Sequence, residues 1–355
     1  MTDEPLGTHV LELQLAAVVD ETADARSLVF KVPAGATIPA DRLRYAPGQF
    51  LTLRVPSERT GSVARCYSLC SSPFTDHSLT VTVKRTVGGY ASNWLCDNAY
   101  PGMHIHVLAP SGTFVPKTLD TDFLLLAAGS GITPMMAILK SALSEGSGRV
   151  SLIYANRDEK SVIFASALRD LAAKYPDRLT VVHWLETVQG LPSAAALGGL
   201  VGHYAGREAF ICGPGPFMAA AEEALVTAGT PSAQVHIEVF KSLESDPFAR
   251  VVIAADDPDD SGEGPATAIV TLDGETHEIS WPRNAKLLDV LLDKGLDAPF
   301  SCREGHCGAC AVLMKSGEVA MEVNDVLEAS DLEEGLILGC QSRPTSDSVE
   351  VTYDE

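Results

Sequence analysis

The chain has 355 residues, 46% of them hydrophobic and 21% charged, and a net charge of −21, which is the make-up of a globular protein with room for two or three domains. The acidic balance speaks against nucleic acid, whose phosphates attract basic surfaces. The apolar run Phe123 to Ala128 is far too short for a bilayer, so no membrane insertion is expected.

The N-terminal Met1-Thr-Asp-Glu-Pro has neither a basic n-region nor an apolar h-region, and the expectation is a cytoplasmic chain with reduced thiols. Residues 1–117 then read as short alternating strands broken by Pro and Gly, among them Ser27-Leu-Val-Phe-Lys-Val, Gln49-Phe-Leu-Thr-Leu-Arg-Val and Leu79-Thr-Val-Thr-Val-Lys. Regular strand spacing with turn signals predicts an antiparallel β-barrel, interrupted by one helix over residues 92–99. Within it, Arg65-Cys66-Tyr67-Ser68 lies on a strand whose alternation sends Arg65 and Tyr67 to one face. A guanidinium suited to phosphate beside an aromatic ring suits the wall of a flat phosphorylated cofactor. Gly88-Gly89-Tyr-Ala-Ser92 opens the helix, and a glycine-rich approach to a helix N-terminus suits a pyrophosphate. Taken singly, an Arg-x-Tyr is more often packing and a Gly-Gly more often a plain turn.

Residues 118–241 change to strand–helix repeats, the pattern of an α/β domain on a parallel sheet with its ligand at the strand carboxyl ends. The buried strand Phe123-Leu-Leu-Leu-Ala-Ala meets Gly129-Ser-Gly131-Ile-Thr133-Pro134, with Pro134 suited to the first position of a helix over 135–144. Such a turn offers free N–H groups to a pyrophosphate. Further units follow, with a helix near 161–173 and a strand Ala209-Phe-Ile-Cys212-Gly213 leading into a helix over 217–228. Cys212 taken alone reads more readily as a buried strand-end thiol. The second strand ends Asn156-Arg157-Asp158-Glu159-Lys160, which holds both the carboxylate that a free ribose hydroxyl wants and the cations that a 2′-phosphate wants.

Residues 242–265 include Asp256-Asp-Pro-Asp-Asp260 and read as an acidic solvated linker. Residues 266–355 open with two strand patterns around Asp273-Gly274, a hairpin signal, then a helix over 286–294. Next comes Cys302-Arg-Glu-Gly-His-Cys307-Gly-Ala-Cys310, answered by Cys340. This C-x4-C-x2-C spacing with a distant fourth thiol is the plant-type ligand pattern for a [2Fe-2S] cluster. Structural zinc usually shows two separated C-x2-C pairs instead. Rieske centres need two His ligands, whereas His306 stands alone beside four sufficient thiols. Residues 261–355 carry 6 Lys and Arg against 19 Asp and Glu, so the cluster end is the acidic end. That charge suits a basic protein partner and equally suits plain solubility.

Taken together and in this order, the motifs resemble the ferredoxin-NADP reductase superfamily with a C-terminal plant-type ferredoxin. The resemblance implies a barrel that binds FAD, an α/β domain that binds the nicotinamide coenzyme, and a β-grasp [2Fe-2S] domain. It implies that Arg65 binds flavin phosphate, Tyr67 packs on the isoalloxazine and Ser68 approaches its N5. Gly88, Gly89 and Ser92 fall at the pyrophosphate, and Val83 and Lys84 line the flavin by main chain. Gly129, Gly131, Thr133 and Gly213 fall at the coenzyme, which the relatives favour as NADH. Cys212 lies beside the nicotinamide, Glu238 and Phe240 close on the flavin, and Ser68, Cys212 and Glu238 form the hydride-transfer environment. With the ferredoxin last, the chain resembles the reductase components of bacterial oxygenases. That implies delivery of electrons from NADH, through FAD and the cluster, to an oxygenase of the Rieske type or, alternatively, to a di-iron oxygenase acting on an acyl-CoA or aromatic substrate.

Overall fold

Period-two alternation in the first third of the chain produces one curled antiparallel sheet. Its strands are β1 (Leu11–Thr22), β2 (Ala25–Lys31), β3 (Phe50–Ser57), β4 (Gly61–Ser68), β5 (Thr80–Lys84) and, after helix α1 (Ala91–Asn98), β6 (His104–Ser111). The computed structural model describes residues 9–253, 264–327 and 329–354. In the sheet order β4-β3-β6-β1-β2-β5 the two edges curl until they touch at an antiparallel bridge, Leu69 to Val81. Inward residues Leu13, Leu15, Leu28, Leu51, Leu53 and Val81 fill the interior. The helix begins one residue before its expected start, which leaves Gly89 and Ser92 at its entrance.

The next unit is a parallel sheet in the order β11-β10-β7-β8-β9. It comprises β7 (Phe123–Ala128), α2 (Ile132–Glu145), β8 (Val150–Asn156), α3 (Ala165–Lys174), β9 (Leu179–Leu185), α4 (Glu186–Gln189), α5 (Ala194–Val201), β10 (Glu208–Cys212), α6 (Gly215–Thr227) and β11 (Val235–Glu238). Every residue of β7 is buried because helices cover both faces. Alternation divides the strand: Leu125 and Ala127 pack towards α2 and α3, while Leu124 and Leu126 pack towards α5 and α6. Strand order reverses between β7 and β10, which opens a crevice at their carboxyl ends.

Three details differ from expectation. Helix α2 starts at Ile132, so Pro134 stands third; a missing N–H costs nothing there, since first-turn donors have no partner inside the helix. Helix α3 starts at Ala165, because Asp158 caps a short turn at Ser161 and Phe164 takes a left-handed conformation, φ 61°. The sequence reading assigns no element to residues 186–201. Gly198 and Gly199 dilute the helical pattern of α5, which is held by burial of Leu197 and Val201.

The last unit is a mixed five-stranded sheet, β13-β12-β18-β14-β16, with one helix packed on it. It comprises β12 (Ala266–Leu272), β13 (Glu275–Trp281), α7 (Leu287–Asp293), β14 (Ala311–Ser316), β15 (Val319–Met321), α8 (Ala329–Glu333), β16 (Leu336–Leu338), β17 (Ser342–Pro344) and β18 (Ser348–Thr352). Asp273 and Gly274 both have positive φ, 54° and 77°, as the two-residue hairpin turn requires.

The expected linker needs correcting. The acidic run 256–260 lies outside the described residues, but residues 242–253 do not behave as a solvated tether. Leu243 and Phe248 are buried in one apolar cluster with Phe50, Ala64 and Leu108 of the barrel and Trp281, Leu287 and Leu291 of the last unit. The linker reading follows the acidic run, and the apolar residues just before it, Leu243, Phe248, Val251, Val252 and Ile253, keep no helix or strand period that would mark them as packing. The strap is also tied by hydrogen bonds, Ser62 Oγ donating to Asp246 Oδ2 at 2.9 Å and Arg65 Nη1 to the Leu243 carbonyl at 3.0 Å. An ion pair between Arg42 and Asp297 joins barrel and cluster unit directly. Among the described residues no helix is long and apolar enough to cross a membrane.

Candidate active site

The barrel and the parallel sheet face each other across a cleft of about 280 Å³. Arg65, Tyr67 and Ser68 reach it from the end of β4, Lys84 from β5, Gly89 and Ser92 from the start of α1, Thr133 from α2, and Phe240 from just after β11. The glycine turn is fastened to its helix: Ser92 Oγ accepts the Thr86 N–H at 3.1 Å, and Asn93 Nδ2 donates to the Thr86 carbonyl at 2.9 Å. Arg65 brings a cation to the same cleft as that turn, a combination that fits a pyrophosphate, the Tyr67 ring gives the flat wall, and the Lys84 ammonium lies towards Gly129 and 3.9 Å from Asp24. Val83 turns its side chain into the barrel interior, so it can face the cleft only by main chain. Gly88, with φ +72°, has open space beyond it.

Behind the cleft, the crevice between β7 and β10 brings Gly129, Gly131, Cys212 and Gly213 together. A Cβ on Gly131 would stand 2.0 Å from the Cys212 carbonyl oxygen, so the turn after β7 and the end of β10 pack backbone on backbone. Tyr154 Oη donates to the Gly129 carbonyl at 3.0 Å and steadies the turn. Cys212 is fully buried, and burial, with the nearby Glu238 charge, keeps its thiol protonated well above the usual range. Glu238 is its register partner on β11; burial pushes that carboxyl up to about 7, because removal from water disfavours the charged form. On the coenzyme side, the Asp158 carboxylate caps the Ser161 turn at 2.9 Å and lies 3.5 Å from Arg157.

The cluster loop folds so that Cys302, Cys307, Cys310 and Cys340 are all buried. The thiols approach in two pairs, Cys302 with Cys307 and Cys310 with Cys340, as two irons with two thiolates each would require. Main-chain donors already point at sulfur: Glu304 and His306 N–H groups to Cys302 at 3.3 and 3.4 Å, and the Cys340 N–H to Cys310 at 3.4 Å. The Gln341 amide donates to Cys340 at 3.4 Å. Such bonds stabilise cluster thiolates. Arg303 sits at φ 59°, held by Asp289 at 2.6 Å and by Gln341 at its carbonyl. Gly308, at φ +69°, lies so close to the barrel that a Cβ would meet Thr113 Cγ2 at 2.6 Å. Among the described residues no three His, Cys, Asp or Glu converge as a single-ion site would need, and no cysteine forms a disulfide. The donor set fits a binuclear cluster.

A second, smaller cavity joins the two sites. Cys66, Ser68, Phe240 and Glu238 line one side of it, and Cys302, His306 and Cys307 the other. His306 Nδ1 lies 2.6 Å from Asp325, whose carboxylate also accepts from Lys241 Nζ at 2.7 Å. Glu304 accepts bonds from the Glu244 and Ser245 N–H groups at 2.9 and 2.6 Å, fixing the strap over this junction. Cys66, Lys241, Glu304 and the strap were not singled out by sequence. Cys66 stands inside the R-x-Y-S motif, but on the strand face opposite Arg65, and nothing in the sequence says what that face meets.

Three family models match the chain: an oxidoreductase FAD-binding domain over residues 12–115, an oxidoreductase NAD-binding domain over 125–223 and a 2Fe-2S iron-sulfur cluster binding domain over 270–345. The chain is 82% identical, over all of both sequences, to the 3-ketosteroid-9-alpha-monooxygenase ferredoxin reductase component of Mycolicibacterium smegmatis. It is 57% identical to the component of the same name from Rhodococcus rhodochrous, covering 98% of each chain. Among solved structures it is similar to phthalate dioxygenase reductase, with a TM-score of 0.56 and 26% identity over 97% of this chain and 98% of the other.

Proposed function

The chain belongs to the ferredoxin-NADP reductase-like family of oxygenase reductase components, with FAD-binding, NAD-binding and [2Fe-2S] domains in one polypeptide, and on that premise we propose how its residues divide the work. It is an oxidoreductase that takes electrons from NADH and passes them to the oxygenase component of a monooxygenase. Bound FAD supplies the exchange of a two-electron donor for single electrons, and the cluster supplies the one-electron exit.

Arg65 neutralises the flavin phosphates, the turn at Gly88, Gly89 and Ser92 brings the backbone and the helix start up to them, Val83 and Lys84 line the flavin by main chain, and Tyr67 backs the ring system. Gly129, Gly131, Thr133 and Gly213 receive the coenzyme. Ser68, Cys212 and Glu238 surround the place where the nicotinamide meets the flavin. A neutral thiol and a carboxyl poised near 7 shape that place without a fixed negative charge at low pH. Phe240 covers the cleft and limits water. Cys302, Cys307, Cys310 and Cys340 hold the cluster. The observation that carries this reading is the shared cavity, with Ser68 and Phe240 of the flavin cleft on one wall and Cys302 and Cys307 on the other.

The 82% identical relative supports a 3-ketosteroid 9α-hydroxylase system, and we propose that its oxygenase is of the Rieske type and docks beside the acidic ferredoxin domain, whose charge suits a basic partner. The eight unpaired cysteines support a cytoplasmic setting. An anaerobic titration with NADH, followed by absorbance and low-temperature EPR, tests the internal chain: flavin bleaching together with a rhombic [2Fe-2S] signal is expected. Flavin bleaching without that signal overturns the cluster assignment. The partner is tested by which purified oxygenase accelerates NADH consumption; acceleration by a di-iron oxygenase and not by the Rieske protein overturns the steroid reading.

A further inference from the structure

The barrel and the cluster unit are joined by a buried polar chain at the point where the two sites come closest. Thr52 lies on β3, directly opposite Cys66 of β4 in the antiparallel register. Its Oγ1 is 2.6 Å from Ser301 Oγ and 3.3 Å from Cys66 Sγ. Thr52 and Ser301 are 0% and 1% exposed. Ser301 immediately precedes Cys302, and Cys66 lines both the flavin cleft and the small cavity that reaches Cys302. Two hydroxyls hydrogen-bonded to each other across a domain boundary, away from water, are costly to separate, since each would be left without a partner. Apolar contacts around them, Phe50 and Ala64 against the cluster unit, hold the domains together but tolerate sliding. A short directional bond does not.

We propose that the Cys66–Thr52–Ser301 chain is a positioning device that fixes the first cluster ligand, Cys302, at its transfer distance from the flavin wall. Thr52 and Ser301 then set the rate of flavin-to-cluster electron transfer and leave reduction of the flavin by NADH untouched. Thr52 reaches neither the cleft nor the cluster loop's sulfurs, so it acts only through Ser301 and Cys66. This rests on the assignment of flavin and cluster given above.

The test uses the full-length holoprotein and the substitutions Thr52→Val, Ser301→Ala and Thr52→Ser. Anaerobic stopped-flow with NADH resolves flavin bleaching from the later appearance of reduced cluster. Thr52→Val and Ser301→Ala are expected to slow the second phase about tenfold or more, as ångström-scale misplacement does to a positioned reaction, and to leave the first within about twofold. Thr52→Ser, which restores the hydroxyl, is expected to restore the second phase. The step is internal, so partial cluster loading lowers its amplitude and leaves the rate constant readable. Hydrogen–deuterium exchange across residues 299–303, which needs no turnover, is expected to quicken in Thr52→Val. A second phase unchanged in all three variants, or flavin bleaching slowed as much as cluster reduction, overturns the proposal. A wild-type protein whose flavin bleaches without any cluster signal overturns the cofactor assignment instead.

Discussion

Substituting Gly131 by Ala places one methyl group where β7 and β10 converge, and its effect can be worked from distances. The added carbon would lie 2.0 Å from the Cys212 carbonyl oxygen, 2.4 Å from its carbon and 2.8 Å from the Gly213 nitrogen. Ordinary non-bonded carbon–oxygen contact is about 3.3 Å, so the turn and the strand end must part by roughly 1.3 Å. Both elements are backbone, β10 is paired on either side, and Tyr154 holds Gly129, so no flexible side chain can absorb the displacement. The expected cost in stability is about 1–3 kcal/mol, the range for overpacking a well-filled site. The larger effect falls on hydride transfer, because a shift of about 1 Å in a positioned site costs about a hundredfold in rate. Anaerobic stopped-flow should show flavin reduction by NADH slowed by about that factor. Chemical reduction with dithionite should still bleach the flavin and develop the cluster signal, since Gly131 touches neither site. Gly131→Ala protein that NADH reduces at the wild-type rate would refute the argument that backbone contact between these turns positions the coenzyme.

Glu238→Gln should remove a pH-dependent penalty. The carboxyl is raised from the ordinary 4.5 to about 7, so between those values the folded state keeps a proton that the unfolded state loses, and stability falls as pH rises through that window. The variant should exceed wild type by about 2 kcal/mol at pH 8, with the half-buried position discounted, and by little near pH 4.5; denaturant midpoints with an equal gap at both pH values would contradict it. Cys310→Ser should abolish the rhombic EPR signal and iron content while NADH still bleaches the flavin; a variant that keeps the full signal removes Cys310 from the ligand set. Turnover with the oxygenase should slow as salt screens the acidic ferredoxin surface, while direct dye reduction by the flavin barely responds; equal salt sensitivity of both rates would remove electrostatic steering from the account.

Much of this protein is local, and what is local was legible. The cysteine spacing specifies a binuclear cluster because four thiolates must come from one tight loop and one distant strand end, and those constraints are written in consecutive residues. The alternation of the barrel strands, the fully apolar β7 and the Asp273-Gly274 turn each follow from the geometry of a single element. Arg65, Tyr67 and Ser68 form one short strand motif and Gly89 and Ser92 one short turn motif, each read from neighbours in the chain, and the resemblance to a known family is what joins the two into one expected site.

The junctions between units were decided only by the tertiary structure. Residues 242–253 adjoin the acidic run 256–260 and read with it as a tether, yet Leu243 and Phe248 close the core between two domains, and their spacing follows no helix or strand period that would mark them as buried. Cys66 shares a motif with Arg65 and Tyr67 but faces away from Arg65; its importance depends on Thr52, on the neighbouring strand, and on Ser301, 249 positions from Thr52 along the chain. Sequence specifies which chemistry each unit carries, because that chemistry is built from neighbours in the chain. The distance between the units is set by contacts among residues far apart in sequence, and packing of the folded domains fixes it.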